Sequence, residues 1–171
     1  LYESANTDIR YTRRDIRLDA AEWVFKNIPQ GAVIALETWS LDLGISRTEI
    51  ENKYNEALKS NPALAEYYAV KLKKYPFNSY VQYSLNWAPT PSYSQQLMSN
   101  VRYNVNWLRK QNVDFVVINS YIYGRYTQSR KYYPVQMKFY DYLNKNAKLL
   151  KVFNPGNRPG PTIKIYSVRN G

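Results

Sequence analysis

Two stretches of this chain gather side chains capable of chemistry. The first is Glu37-Thr38-Trp39, a carboxylate two residues from an indole, at the carboxyl end of the apolar run Ala32 to Leu36. A carboxylate beside an aromatic ring suits the hydroxyls and the apolar face of a sugar. The plainer role for Glu37 is to pair with an arginine or to cap the segment that follows. The second stretch is Tyr121-Ile122-Tyr123-Gly124-Arg125-Tyr126, followed by Arg130-Lys131-Tyr132-Tyr133. Arg125 and Arg130 can hold a phosphate or carboxylate through paired N–H donors. Tyr123 and Tyr126 can stack on a sugar or lie at a membrane interface. Here the plainer role is a packed loop whose tyrosine hydroxyls bond to backbone. Glu37, Trp39, Tyr123, Arg125, Tyr126 and Arg130 are the candidate binding residues. No second acid is placed with Glu37, so a glycosidase pair is not indicated and no catalytic residue is assigned.

Composition removes other chemistries. There is no Cys and no His, which excludes disulfides, thiol catalysis, a Ser-His-Asp triad and zinc sites built on those residues. No Gly-x-Gly-x-x-Gly and no phosphate loop is present, so no cofactor is expected, and no metal site is expected. Lys and Arg number 24 against 13 Asp and Glu, a net +11. The excess is lopsided. Residues 1–85 hold 11 basic and 11 acidic side chains, whereas 86–171 hold 13 basic ones against only Asp114 and Asp141. With 18 Tyr, this points to anionic, ring-bearing or lipid-headgroup partners. Nucleic acid is disfavoured because no recognised motif accompanies the charge. No stretch approaches the roughly 20 apolar residues of a membrane span.

The elements that must position these residues follow from periodicity. Thr12-x-x-Asp15 predicts a capping box, with Ile16, Ala20, Trp23 and Val24 on one helical face until Asn27. Asp15 and Arg17 open that helix, with Asp114 or Glu37 as targets for Arg17. Ala32 to Leu36 predicts a buried strand. Ser46-x-x-Glu49 predicts a second box, and Asn61-Pro62 divides two helices over 46–74. Val81, Tyr83, Leu85 and Trp87 alternate as a strand before the turn Ala88 to Pro91. Leu97, Val101, Val105 and Leu108 predict one long helix ending near Gln111. Val113 to Asn119 predicts a central strand, and Ser120 to Tyr133 a loop. Pro134 opens a helix with Phe139, Tyr142 and Leu143 inward. Lys148 to Phe153 and Thr162 to Val168 then read as strands able to form a hairpin. Alternating helices and strands in 171 residues predict a single α/β domain over 1–171 with a helical insertion at 46–74. The expected architecture is a three-layer sandwich: a mostly parallel sheet of about five strands with helices on both faces. The first and third strands are expected to be parallel and the last two antiparallel.

Several segments together resemble a known family. They are Asp15-x-Arg17-x-x-Ala20-x-x-Trp23-Val24-x-x-Asn27-Ile28-Pro29-x-Gly31-Ala32, continuing to Glu37. Later come Asp114-Phe115-Val116-Val117-x-Asn119-Ser120, Tyr123-x-Arg125-Tyr126, Phe139-Tyr140-x-x-Leu143, Leu150-x-Val152-Phe153-x-Pro155, and Gly160-Pro161-x-Ile163-x-Ile165-Tyr166. Their order and spacing resemble the soluble carboxyl-terminal region of polytopic GT-C-type glycosyltransferases, of the protein-mannosyltransferase and aminoarabinose-transferase kind. The resemblance spans residues 10–168, with the insertion least covered. It implies an integral membrane enzyme that transfers sugar from a polyprenyl-phosphate carrier outside the cytoplasm. It also implies an upstream transmembrane region of the same polypeptide as partner, and an extracytoplasmic place for this domain. The family's catalytic carboxylate lies in an early loop between membrane helices, so none is carried over. Other readings stay open: a stand-alone binding module for anionic glycans or lipid headgroups, and a small enzyme using carboxylate with Tyr or Lys chemistry.

Overall fold

A computed structural model describes residues 13–74, 80–85 and 99–169. In chain order these form α1 (Ile16–Asn27), β1 (Val33–Glu37), α2 (Arg47–Ser60), α3 (Pro62–Lys74), β2 (Val81–Leu85), α4 (Val105–Lys110), β3 (Phe115–Asn119) and α5 (Ser120–Gln128). A 3₁₀ turn (Arg130–Tyr132), α6 (Pro134–Asn146), β4 (Lys148–Phe153) and β5 (Ile163–Ser167) follow. The fold is mixed α/β around a five-stranded sheet of order β2-β1-β3-β5-β4.

β1 pairs in parallel with both β2 and β3. β5 pairs antiparallel with β3 on one side and with β4 on the other. The parallel first and third strands and the antiparallel final pair therefore match expectation. The expectation of a mostly parallel sheet does not hold: the sheet is mixed. The reason is local. Residues 154–162 leave no room for a crossover helix, so β5 must return antiparallel to β4. It then docks on β3 and adds a second antiparallel pairing.

The buried strand residues divide between two clusters, alternating as a two-residue period requires. Ala35, Val116, Ile118 and Tyr166 pack with Leu108, Ile122, Tyr126, Phe139 and Leu143. Ile34, Val117, Ile163 and Ile165 pack with Ile16, Ala20, Val24 and Ile28.

Caps set the helix starts. Asp15 is itself the N-cap of α1, accepting from the Arg17 amide at 2.8 Å, so the helix begins one turn later than the expected box; Thr12 lies outside the described residues. Ser46 accepts from the Glu49 amide at 3.2 Å, and Asn61 from the Leu64 amide at 3.2 Å. Residues 46–74 form the helix pair α2–α3.

Two expected elements differ. The long helix through Leu108 is interrupted, because Asn104 accepts from the Asn106 and Trp107 amides and starts α4 afresh. The break turns Tyr103 into the core. Leu97, Trp87 and the turn Ala88 to Pro91 lie outside the described residues. The expected loop Ser120 to Tyr133 is instead α5 and the 3₁₀ turn. Asn119 caps it by accepting from the Tyr121 amide, and Ile122 and Tyr126, four residues apart, are its buried stripe.

Candidate functional site

β1 is flanked by β2 on one side and β3 on the other. The chain therefore leaves β1 in one direction and returns on the opposite side, so the carboxyl ends of β1 and β3 lie where open α/β sheets usually take ligands. Glu37 ends β1 and Asn119 ends β3.

Glu37 faces inward and is 2 % exposed. Its Oε2 accepts from the Asn119 amide at 2.7 Å. Its Oε1 accepts from the Tyr103 hydroxyl at 3.0 Å and the Tyr140 hydroxyl at 2.5 Å. The Asn119 side chain in turn donates to the Thr38 carbonyl at 2.9 Å. One carboxylate thus ties together β1, β3, α6 and the turn before α4. Desolvation pushes its carboxyl up to about 7, against three hydrogen bonds that pull it down. Burial, with the nearby carboxylate, also raises the Tyr103 and Tyr140 hydroxyls. Glu37 pairs with tyrosines and a backbone amide rather than with an arginine, and its carboxylate is directed away from solvent.

The tyrosine–arginine stretch is split by burial. Tyr126 is core: its ring lies edge-on to Tyr103 at 5.5 Å and to Tyr133 at 4.8 Å, and its hydroxyl is 3.3 Å from Ser99 Oγ. Tyr123 is half-buried, edge-on to Tyr140, with Lys164 Nζ 5.1 Å from its ring centre. Arg125, in the last turn of α5, and Arg130, opening the 3₁₀ turn, are exposed.

Trp39 is different. It is exposed, and its backbone sits at φ +65°, a left-handed conformation that a bulky residue rarely adopts. The Ser40 amide and hydroxyl both bond to the Glu37 carbonyl, at 3.1 and 2.6 Å, which fixes the turn. Strain of this kind persists where surrounding structure over-determines it, and often marks a functional site. The indole borders a cleft of about 460 Å³, shared with Asp15, Arg17, Leu18, Leu41 and Asp42.

The cleft has a settled polar wall. Arg17 grips Asp15 through both prongs of its guanidinium, Nε to Oδ1 at 2.9 Å and Nη2 to Oδ2 at 2.7 Å. That grip lowers the Asp15 carboxyl and raises Arg17. Asp42 accepts from the Gly44 amide at 2.7 Å. Arg17 therefore turns back to its own cap rather than reaching Asp114 or Glu37. Asp114 lies at the far end of β3, accepting from the Val33 amide and paired with Arg169. Two carboxylates and one guanidinium give the lining a net negative charge within a +11 chain.

Of the six candidate residues, only Trp39 reaches this cleft. Leu18, Leu41 and Asp42 were missed. Leu18 carried a signal, being an apolar residue on the outward side of the α1 pattern. Among the described residues no group of three acids is placed to hold a metal. No family model matches the chain, and neither the curated proteins nor the solved structures yield a match.

Proposed function

We propose that the chain is the extracytoplasmic accessory domain of a membrane glycosyltransferase that uses a polyprenyl-phosphate-linked sugar, and that its cleft positions the sugar of carrier or acceptor. The observation that carries this reading is the Trp39 cleft. Its volume of about 460 Å³ falls in the usual range for small-molecule sites. An exposed indole offers a flat apolar surface to a sugar ring, and Asp15 and Asp42 offer acceptors for hydroxyls. Asp15 offsets the charge of Arg17 and Asp42 adds a negative one, so the wall suits a neutral ring better than a phosphate. The membrane setting comes from the sequence resemblance. In the full-length protein the domain is anchored by an upstream transmembrane region; among the described residues no helix is long and apolar enough to cross a membrane. The fold is taken as a three-layer sandwich, with α1 on one face and α4, α5 and α6 on the other.

Replacing Trp39 by Ala is expected to weaken binding of a neutral disaccharide about tenfold, the worth of one lost stacking contact. The exposed ring leaves the melting temperature nearly unchanged. Calorimetric titration of both proteins tests this, and equal affinities would sink the cleft as the sugar site. The membrane reading is tested separately, by blotting soluble and detergent-extracted fractions of source cells. A band several times larger than 20.2 kDa, released only by detergent, is the expected result. A soluble band of 20.2 kDa would overturn it in favour of a stand-alone binding module.

A further inference from the structure

α1, α4 and α6 each run toward the amino end of a strand, the end opposite the Trp39 cleft. Their last turns carry Lys26, Arg109 with Lys110, and Lys145. β4 then begins at the same end with Lys148, and Arg169 follows the carboxyl end of β5 there. The register fixes the juxtaposition. Lys148 lies opposite Ser167, which lies opposite Phe115. Neighbouring strands are about 4.8 Å apart, so Lys148 stands roughly 10 Å from the start of β3, where α4 delivers Arg109 and Lys110.

Among the described residues, acids at this end are few and mostly engaged. Glu22 holds Lys26 at 2.7 Å, Asp114 is buried against Arg169, and Asp141 sits one turn before Lys145. Arg109, Lys110, Lys145 and Lys148 are exposed and make no ion pair among the described residues. Helix dipoles favour a cation in each last turn and account for three of these four singly. They do not account for Lys148, which opens a strand. Leu149, beside it, is 47 % exposed and supplies an apolar contact at the rim of the basic patch.

We infer that this basic end of the sheet docks on an anionic lipid surface, with Arg109, Lys110, Lys145 and Lys148 as its contacts. The choice of lipid over another polyanion rests on the proposed membrane setting; the patch itself does not. Each basic side chain near such a surface strengthens binding about fivefold, and salt screens it. Docking this end holds the Trp39 cleft away from the headgroups by the length of the strands, roughly 17 Å for five residues. The cleft then meets an acceptor rather than the sugar on its lipid carrier.

The test is co-sedimentation of the 171-residue chain with phosphatidylcholine vesicles, with and without phosphatidylglycerol, at low and high salt. Wild type binds only the anionic vesicles and releases in salt. The variant Arg109→Gln, Lys110→Gln, Lys145→Gln, Lys148→Gln loses binding about 100-fold or more. A charge-matched variant, Arg125→Gln, Arg130→Gln, Lys131→Gln, Lys138→Gln, retains most of it. No binding by wild type, or equal loss in both variants, overturns the proposal. So does full displacement by soluble polyphosphate at equal phosphate, which assigns the patch to an anionic polymer. Disaccharide titration of the first variant stays at the wild-type value, and Trp39→Ala keeps vesicle binding, so failure of the cleft reading and of this one are read apart.

Discussion

Replacing Glu37 by Leu is expected to destabilise the folded chain by about 3 kcal/mol and to lower its melting temperature by roughly 6–12 °C. The carboxylate satisfies three buried donors, the Asn119 amide and the Tyr103 and Tyr140 hydroxyls. Leucine fills similar space and accepts nothing, so the Asn119 amide at the head of α5 is left without a partner. Glu37→Gln behaves differently. Its Oε1 can accept from the Asn119 amide while its amide group donates to the two hydroxyl oxygens; one hydroxyl can then donate to the other, and the second loses its acceptor. The glutamine protein should lose only about 1 kcal/mol of stability, and lose a pH dependence. The Glu37 carboxyl lies at about 7 in the folded chain, against 4.5 when exposed. The native state therefore binds the proton more tightly than the unfolded state. Stability from this group is fully present below pH 4.5 and is lost as pH rises through about 7, by about 3 kcal/mol in all. Denaturant unfolding of wild type and Glu37→Gln across this window measures it. Parallel slopes for the two proteins would mean that Glu37 does not carry the titration.

How far these features were readable from sequence depended on the distance over which each is decided. Caps at Asp15, Ser46 and Asn61 are local hydrogen-bond chemistry, and all three act as N-caps. The central place of β3 followed from its unbroken apolar run. The rank of β5 inside β4 has a signal in the sequence: Lys148 and Lys151 on β4 are typical protection for a sheet edge, whereas Ile163, Ile165 and Tyr166 are apolar or aromatic and buried. In the tyrosine-rich stretch the helical signal is the four-residue interval between Ile122 and Tyr126, set against a composition that favours a loop. Glu37 was legible as important but not as inward-facing, because its partners lie 66, 82 and 103 residues away. The cleft was the least legible part. Its walls come from two segments separate in the chain, the start of α1 and the loop after β1, and the 154–162 loop packs against α1 beside Asp15.

That packing makes Gly160 the second position of large expected effect. Gly160→Ala is expected to cost about 2–4 kcal/mol and to weaken disaccharide binding with it. The glycine sits at φ +107°, where side-chain-bearing residues are strained. A Cβ there would lie 2.5 Å from Ile16 Cγ2 and 2.7 Å from Asp15 Oδ1. Neither neighbour can give way easily. Ile16 is 1 % exposed in the core beneath α1, and Asp15 is held by three bonds from Arg17. The loop is also tied to α1 by the Ile16 amide donating to the Pro159 carbonyl at 3.1 Å, and by Arg158 to Asp19 at 2.5 Å. Relief of the clash must lift the loop from α1 or turn Asp15 out, and in the second case Arg17 moves with it and the polar wall of the cleft is lost. Gly156 in the same loop is the control. It too has positive φ, at +55°, but a Cβ there meets nothing within 4 Å, so Gly156→Ala should cost only about 1 kcal/mol and leave the cleft intact. Melting temperature and disaccharide affinity, the latter measured well below the transition, separate the two variants. If Gly160→Ala matched Gly156→Ala in both, the loop would not be what holds Asp15 and Arg17 in place, and the cleft wall would owe its geometry to the α1 cap alone.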